Sequence, residues 1–401
     1  MTFELLILFL LNMPKRTLAI ELHSFFSYLK EKINKVIDIP ASAFTQSRQK
    51  LSPDIFVGMN QVLLQEYYTD NQERIRLWKG HRLLAIDGSR ATLPYSEKLK
   101  AEYGVTKNQN KTEDVVQARV SVLYDVLNEL VLEGVLSPQK TGEITLAHKH
   151  VKLLEENDLV ILDRGYPSFL LAFEILNQKA DFLFRCKHGF NNVTKQFMAS
   201  GNQEAIVKIA PGKDHVSQYP NLTKDTKIRV RLIKVPLESG ETELLMTSLL
   251  DNETYPYNCF KELYFRRWNV EIFYNRIKNI LVVENFSGLT KHAILQDFYC
   301  ALFISNVQSL IIDEAQTEVD QKTSGRRYDY KINTSVSLGF MKNKILDLFI
   351  NKGSQATLEE LEKLLVKQII PIREGRKFNR DVGKYRKRAK PPMFKNRKRI
   401  I

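Results

Sequence analysis

Cysteine and histidine are scarce in this chain. Its 401 residues include 3 Cys and 7 His. Cys186, Cys259 and Cys300 lie far apart and form no C-x-x-C pattern. The sequence therefore lacks the paired cysteines that a disulfide framework or a cysteine zinc site requires, and this usage is typical of a reducing compartment.

The start of the chain also lacks the features of a signal peptide or a membrane span. The apolar stretch from Phe3 to Leu11 follows no Lys or Arg and contains Glu4. It is far shorter than the roughly 20 residues of a spanning helix, and no small-residue cleavage site follows it. We therefore predict a buried first helix, or an upstream start codon before a true start at Met13, and expect no membrane association.

Acidic residues do not balance the basic ones, but the excess is local. The chain carries 60 Lys and Arg against 46 Asp and Glu, a net charge of +14. The segment from Arg373 to Ile401 holds 13 of these cations against Glu374 and Asp381, so it carries +11. This basic tail favours nonspecific contact with DNA through counterion release, and a solvated solubility segment is the alternative. The whole chain is 43% hydrophobic, enough for a full core and two to four structural units.

Two short apolar runs end in an aspartate. Asp87 follows Leu83 to Ile86 and precedes Gly88, and Asp163 follows Leu159 to Leu162. Short, continuously apolar runs are typical of buried parallel strands. We predict that each strand stops at its acid, at the carboxyl edge of a sheet where ligands usually bind.

The most informative pattern lies in the stretch YFRRWNVEIFYNRIK. Arg267, Glu271 and Lys278 follow Tyr264 at offsets of three, seven and fourteen residues. On one helix, these offsets place the four side chains within a sector of roughly 60°, since each residue turns the helix by about 100°. The spacing therefore predicts a polar stripe that combines an acid, two cations and a phenol, and such a stripe can bind phosphate.

Together, Asp87 in IDGSR, Asp163 in ILDRGY and the Tyr264-to-Lys278 pattern resemble the DDE transposases of bacterial insertion sequences, in the group with a YREK signature. The resemblance extends from about residue 80 to about residue 310. It implies an α/β fold, in which an RNase H-like mixed sheet is flanked by helices and joined by a β-rich insertion and an N-terminal helical domain. The predicted order of strand, hairpin, helix, strand, helix and strand agrees, and it makes the strands of Asp87 and Asp163 neighbours.

The resemblance also divides the chain into parts. We expect an N-terminal helical DNA-binding domain at 1–80, the first part of the catalytic core at 81–186, a β-rich insertion at 187–255, the C-terminal helices of the core at 256–316, and a C-terminal helical region with the basic tail at 317–401.

Two polar surfaces outside the core have two interpretations each. Polar residues on a short N-terminal helix either read base edges in a major groove or form a solvated face. These residues are Thr45, Gln46, Arg48 and Gln49. Alternating cations on a strand of the insertion either follow a DNA backbone or form an ordinary solvated outer face. These cations are Lys227, Arg229 and Arg231.

The function that the resemblance implies is a DNA transposase. It would cleave the ends of its insertion sequence and join them to target DNA by metal-dependent phosphoryl transfer. Asp87, Asp163 and Glu271 would be the catalytic, metal-binding residues, because carboxylate oxygens suit Mg²⁺ or Mn²⁺. Two ions are expected per active site, with Asp87 bridging both and each other acid binding one.

The remaining site residues are expected to hold DNA. Tyr264, Arg267 and Lys278 would bind phosphates around the cleavage point, although Arg267 could instead form an ordinary i,i+4 pair with Glu271. Trp268 either stacks on an unpaired base or packs against protein. Two arginines close to the aspartates are secondary phosphate candidates, Arg164 and Arg90.

The expected partners are the terminal inverted repeats, the target DNA and a second copy of the chain in a synaptic complex. The expected location is the bacterial cytoplasm, at the nucleoid when DNA is bound. Two alternative functions stay open. One is a catalytically silent or domesticated DNA-binding protein of the same fold, against which the presence of all three acids counts. The other is a metal-dependent nuclease without strand transfer.

Overall fold

A computed structural model of the chain describes residues 1–33, 39–107, 114–212, 216, 219, 222–223, 225–350 and 355–373. The chain divides into two compact units. The first consists of Met1–Leu64, Ala91–Ala118 and Asn275–Ile401, and the second of Gln65–Arg90 and Arg119–Tyr274. The basic tail predicted from the sequence lies outside the described residues, apart from Arg373.

Strands and helices alternate through the middle of the chain, and helices dominate both ends. The strands are β1 Arg82–Thr92, β2 Val105–Lys107, β3 Asp114–Asp125, β4 Leu130–Pro138, β5 Asp158–Leu162, β6 Asp181–Cys186, β7 Glu204–Ile209, β8 Ile228–Pro236, β9 Thr242–Thr247, β10 Tyr330–Ile332 and β11 Ile369–Pro371. The helices are α1 Phe3–Leu11, α2 Leu18–Ile33, α3 Ala41–Gln49, α4 Asp54–Asp70, α5 Glu97–Tyr103, α6 Glu143–Val151, α7 Phe169–Asn177, α8 Asn192–Ala199, α9 Cys259–Phe265, α10 Trp268–Asn275, α11 Lys291–Thr323, α12 Thr334–Ile350 and α13 Gln355–Leu365. A π-helical turn at Arg276–Ile280 follows α10.

The main sheet brings the strands of the two aspartates side by side. Its order is β2-β3-β1-β5-β6-β9-β8-β7, with β4 paired to β3. β1 and β5 are parallel, and their register pairs Ala85 with Ile161. Asp87 and Asp163 both lie two residues beyond that pair, at the same edge of the sheet. The predicted RNase H-like mixed sheet flanked by helices is therefore confirmed.

Complete burial explains the continuously apolar runs from Leu83 to Ile86 in β1 and from Leu159 to Leu162 in β5. One core cluster contains Leu84 of β1, Val160 of β5, and Leu171 and Ile175 of α7. These four side chains are 0% exposed. Burying each one stabilises the fold by about 1.5–3 kcal/mol, so the edge of the sheet rests on a rigid interior.

The β-rich insertion extends the sheet beyond β6, because β9 pairs antiparallel with β6 and β8 antiparallel with β9. The basic outer face predicted for β8 is wrong for Arg231, although Lys227 and Arg229 are exposed. Arg231 is 1% exposed and forms an ion pair with Glu204 of β7. Its guanidinium lies 5.0 Å from the ring centre of Phe260 in α9, which covers this face of the strand.

The first unit packs around α11, which contacts α1, α3, α5, α12 and α13. The side chains of Leu6, Phe9, Leu10 and Leu11 in α1 are buried. The Phe9 ring centre lies 5.4 Å from that of Phe25 and 4.9 Å from that of Phe44. The predicted buried first helix is therefore confirmed.

Arg48 of α3 is buried, so the hypothesis that it reads base edges is wrong. Its guanidinium donates to Oε1 of Gln296 at 2.6 Å and to the carbonyl of Ala293 at 2.9 Å, and it pairs with Asp297 at 2.6 Å. These partners bind most of its donors within the first unit. The other polar residues predicted on this helix, Thr45, Gln46 and Gln49, are exposed.

Among the described residues, α11 is the one helix that is long and apolar enough to cross a membrane. In the most apolar 18-residue stretch of this helix, 72% is buried inside the protein. A buried core helix passes the same test, and the contacts of α11 with five other helices give it that position in the first unit.

Candidate active site

Asp87 and Asp163 lie where β1 and β5 stop pairing with each other. Asp163 directly follows β5, as predicted, but β1 does not stop at Asp87 and continues to Thr92. The prediction that β1 stops at Asp87 is therefore wrong: beyond Ala85 the strand no longer pairs with β5 but continues beside its other neighbour, β3. The backbone N–H of Gly88 donates to Oδ1 of Asp87 at 2.9 Å. Both carboxylates thus reach the crevice at this edge of the sheet.

The guanidinium of Arg267 brings the three predicted acids into one electrostatic group. Its Nη2 donates to Oε1 of Glu271 at 2.9 Å, and its Nη1 lies 3.8 Å from Oδ2 of Asp87. Its side chain is 4% exposed. Burial alone would lower the pKa of Arg267, but Tyr264, Glu271, Asp163 and Asp87 raise it above the ordinary value. The arginine therefore stays charged between the carboxylates.

Of the three acids, Asp87 is the most buried, and its side chain is 19% exposed. Desolvation raises the pKa of Asp87 to about 6, with contributions from the charges of Glu271 and Asp163. The Gly88 N–H and Arg267 act in the opposite direction but do not cancel it. The positive charge near Asp87 therefore does not fully compensate the ionised carboxylate.

The surroundings of Asp163 lower its pKa instead of raising it. Burial would raise its pKa, but the Arg164 backbone N–H, the Tyr264 hydroxyl, Arg267 and Arg185 together hold it below the ordinary value. Tyr264 Oη donates to Oδ1 of Asp163 at 2.8 Å. Neighbouring aspartates with pKa values pushed apart are typical of functional sites.

The four-residue pattern is not on one continuous helix, so that prediction is wrong. Helix α9 ends at Phe265, α10 begins at Trp268, and the intervening N–H of Arg267 bonds to the carbonyl of Tyr264 at 3.1 Å. This i to i+3 bond tightens the chain locally. Tyr264, Arg267 and Glu271 still converge, because Tyr264 donates to Asp163, and Arg267 donates to Glu271 and lies near Asp87.

The remaining predicted phosphate-binding residues are Lys278, Arg90 and Arg164, of which Arg164 donates its backbone N–H to Asp163. Lys278 is half-buried in the π-helical turn at Arg276–Ile280, which belongs to the first unit. Arg90 is exposed on β1, and Arg164 is exposed directly after Asp163. Their predicted roles stay predictions.

Trp268 lies beside a pocket of about 420 Å³ in the second unit. The Trp268 side chain is 40% exposed, and the guanidinium of Arg267 lies 5.4 Å from its ring centre. Phe265, 68% exposed, contributes a second aromatic wall, and Leu237 and Leu245 contribute apolar surface. An exposed aromatic over an apolar pocket fits the stacking interpretation better than the packing one.

The sequence analysis did not predict two residues of the site, Arg185 and Tyr274. Arg185, in β6, pairs with Oδ1 of Asp163 at 3.6 Å and with Glu243 of β9 at 2.8 Å. Tyr274 Oη donates to the backbone carbonyl of Asp87 at 2.8 Å. The signal for Arg185 was present, since it lies near the end of the strand next to that of Asp163. No sequence signal pointed to Tyr274, whose contact depends on the path of α10.

The donor set suits a hard divalent cation, because it consists of carboxylate oxygens. In the described ranges, no three His, Cys, Asp or Glu side chains converge closely enough to hold a metal ion as they stand. Glu271 is instead engaged by Arg267. The chemistry of the site therefore fits a divalent cation, provided that Glu271 leaves the arginine.

Comparisons with known proteins identify the family. The family model described as "Transposase DDE domain" matches residues 78–307. Transposase InsG for insertion sequence element IS4 from Escherichia coli (strain K12) is 22% identical over 245 residues, which are 61% of this chain and 54% of InsG. The chain thus matches about half the length of that curated relative.

Among solved structures, the cryo-EM structure of the piggyBac transposase synaptic complex with hairpin DNA has a TM-score of 0.42 and 11% identity, and the match covers 97% of this chain and 80% of that one. The family model itself covers more than half of the present chain. The resemblance predicted from the two aspartates and the Tyr264-to-Lys278 pattern is thereby confirmed, and the chain belongs to the transposase DDE domain family.

Proposed function

We propose that this chain is a DNA transposase, which cuts DNA at the ends of an insertion sequence and joins the freed 3′ ends to a target by transesterification. Family membership supports this proposal. So does the convergence of Asp87, Asp163 and Glu271 on the guanidinium of Arg267, which is the observation that carries it. An acidic group with basic and phenolic neighbours has both components that phosphoryl transfer to or from DNA needs.

Members of this family use divalent metal ions. Here Asp87, Asp163 and Glu271 would hold them, and Mg²⁺ or Mn²⁺, two per site, fits the all-oxygen donor set. When bound, such ions supply charge stabilisation and activation of the attacking oxygen. The raised pKa of Asp87 supports this assignment, since its ionised form lacks a sufficient counter-charge within the protein.

The residues around the acids would orient DNA. Arg267 is suited to a bidentate contact with a phosphate, and Tyr264 supplies a neutral donor. Lys278, Arg164 and Arg90 would add positive charge along the backbone of the bound strand. The ends of the element and the target are the expected DNA partners.

Trp268 and its pocket would take an unpaired base from the end being cut. Stacking of a base on an exposed aromatic ring is worth about 1–3 kcal/mol and tolerates any sequence. The apolar lining of the pocket, with Arg185 and Glu243 as polar groups, suits a base that has left its helix. Two protomers would be needed, since two ends must be cut in concert.

Cleavage of linear DNA carrying the terminal inverted repeats, in Mg²⁺ or Mn²⁺, tests the proposal. Asp87→Ala, Asp163→Ala and Glu271→Ala should each abolish cleavage and leave DNA binding intact. Asp70→Ala, an exposed acid on α4, is the matched control and should cleave normally. Normal cleavage by any of the first three variants would contradict the assigned roles.

A second assay separates the alternatives. Pre-cut ends mixed with target DNA should give joined product with the wild-type chain. A nuclease without strand transfer would cut but never join, and a catalytically silent DNA-binding protein would bind the repeats and do neither.

A further inference from the structure

Glu143, the first residue of α6, lies against the backbone next to both aspartates. A Cβ atom added at Gly88 would lie 3.1 Å from the carboxyl carbon of Glu143, and one added at Gly165 would lie 3.9 Å from its Oε2. These glycines follow Asp87 and Asp163 closely in the chain. Glycine at these two positions therefore leaves the room that the Glu143 carboxylate occupies.

Arg119 of β3 holds this carboxylate in place. Its Nη1 forms an ion pair with Oε1 of Glu143, and its Nη2 reaches the carbonyl of Gln139 at 3.5 Å. The Glu143 side chain is 40% exposed, so it faces the crevice as well as Arg119. Its position in the first turn of α6 also suits a negative charge. The carboxylate is thus fixed beside Asp87 with its second oxygen available.

Tyr166 adds an unsatisfied donor to the same place. The residue is 2% exposed, and its hydroxyl has no hydrogen-bond partner. Burial raises the pKa of Tyr166, and the charges of Asp87 and Glu143 raise it further, so the hydroxyl keeps its proton. Buried hydroxyls almost always have a hydrogen-bond partner, so the Tyr166 hydroxyl is a donor suited to a bound group near Asp87 and Glu143.

We propose that Glu143 and Tyr166 form a water-binding subsite beside Asp87. The Tyr166 hydroxyl donates to this water, the Glu143 carboxylate accepts from it, and the water belongs to the hydration shell of a divalent cation at Asp87. The inference rests on the metal site of the proposed function. Both residues are positioning residues, because they act on the cation through water.

Mn²⁺ binding to the full-length, chelator-treated protein, followed by electron paramagnetic resonance, tests this subsite without measuring activity. Glu143→Gln and Tyr166→Phe should each weaken Mn²⁺ affinity by about tenfold or more, the usual effect of losing an outer-sphere partner. Two matched controls should bind Mn²⁺ like the wild type. Glu97→Gln removes an acid from the first turn of α5, and Tyr103→Phe removes another buried hydroxyl without a partner.

Asp87→Asn distinguishes the inference from the proposed function. If Asp87→Asn loses Mn²⁺ while Glu143→Gln and Tyr166→Phe bind it normally, the subsite is wrong and the metal site stands. If Asp87→Asn also binds normally, the metal site itself is wrong. Should Glu143→Gln fail to fold, Tyr166→Phe decides alone, because it removes only a group that has no partner.

Discussion

Replacing Asp87 by asparagine should stabilise the metal-free protein at neutral pH. Burial raises the pKa of Asp87 from 3.8 to about 6. The shift of about two units corresponds to about 3 kcal/mol, since each unit is worth about 1.4 kcal/mol. The side chain is 19% exposed, so solvent screens this cost only weakly. Asparagine keeps the shape of the side chain and removes the charge that is costly to bury.

The pH dependence of this effect has a definite sign. The folded protein holds the Asp87 proton more tightly than the unfolded chain does, so the stability that this group contributes is fully present below about pH 3.8. It is lost as the pH rises to about 6, and above that the ionised carboxylate destabilises the fold by the full amount. The wild type and Asp87→Asn should therefore differ by less than about 1 kcal/mol near pH 4 and by about 3 kcal/mol at pH 7.5.

Urea unfolding followed by circular dichroism, with a chelator present, measures this difference. Asp70→Asn, at an exposed position of α4, should show no such gain. Added Mg²⁺ should raise the unfolding midpoint of the wild type and leave that of Asp87→Asn unchanged. Equal stability of the two proteins at pH 7.5, or a gain that is just as large at pH 4, would refute the reasoning.

Three further substitutions test other contacts of the fold and the site. Asp125→Ala should lower the free energy of unfolding by at least about 3 kcal/mol in urea, because it leaves a tyrosine hydroxyl and two backbone N–H groups without their buried acceptor. Arg48→Met should cost about 3–5 kcal/mol in the same assay, since Asp297 then loses its cation. Tyr264→Phe should raise the pKa of Asp163 in an NMR titration, because the donor at 2.8 Å is lost. An unchanged titration would show that this hydrogen bond does not stabilise the carboxylate.

The position of the candidate site could be predicted because it depends on rules that act locally. Apolar runs that end in an acid predicted β5 and the first part of β1, and parallel pairing then brought Asp87 and Asp163 to one edge. The path of β1 past Asp87 could not be predicted, since strand pairing with β5 ends at Ala85 while the backbone stays extended to Thr92. The break between α9 and α10 could not be predicted either, because no glycine or proline lies there.

Buried charges were the other source of error. Alternation along β8 placed Arg231 on a basic outer face, and helix position placed Arg48 either in a DNA groove or on a solvated face. Both are buried, because partners far along the chain satisfy them: Glu204 for Arg231, and Asp297 with Gln296 for Arg48. A sequence pattern shows that a residue is long and charged, but the partners that permit its burial are fixed only by the tertiary fold.

The double role of Arg267 sets a constraint on the proposed function. The Nη2 atom that donates to Glu271 at 2.9 Å is one of the two that a bidentate phosphate contact needs. A phosphate that binds the edge of the guanidinium now used by Glu271 would therefore compete with that carboxylate. When the phosphate takes the guanidinium, Glu271 is released and Asp87 loses part of the positive charge that now opposes its raised pKa. Under the proposed function, DNA binding would then increase the uncompensated negative charge of the three acids, and by linkage it should tighten their affinity for a divalent cation. Without DNA, Arg267 pairs with Glu271 and lies 3.8 Å from Asp87, so the proposed metal ligands would be restrained until DNA binds.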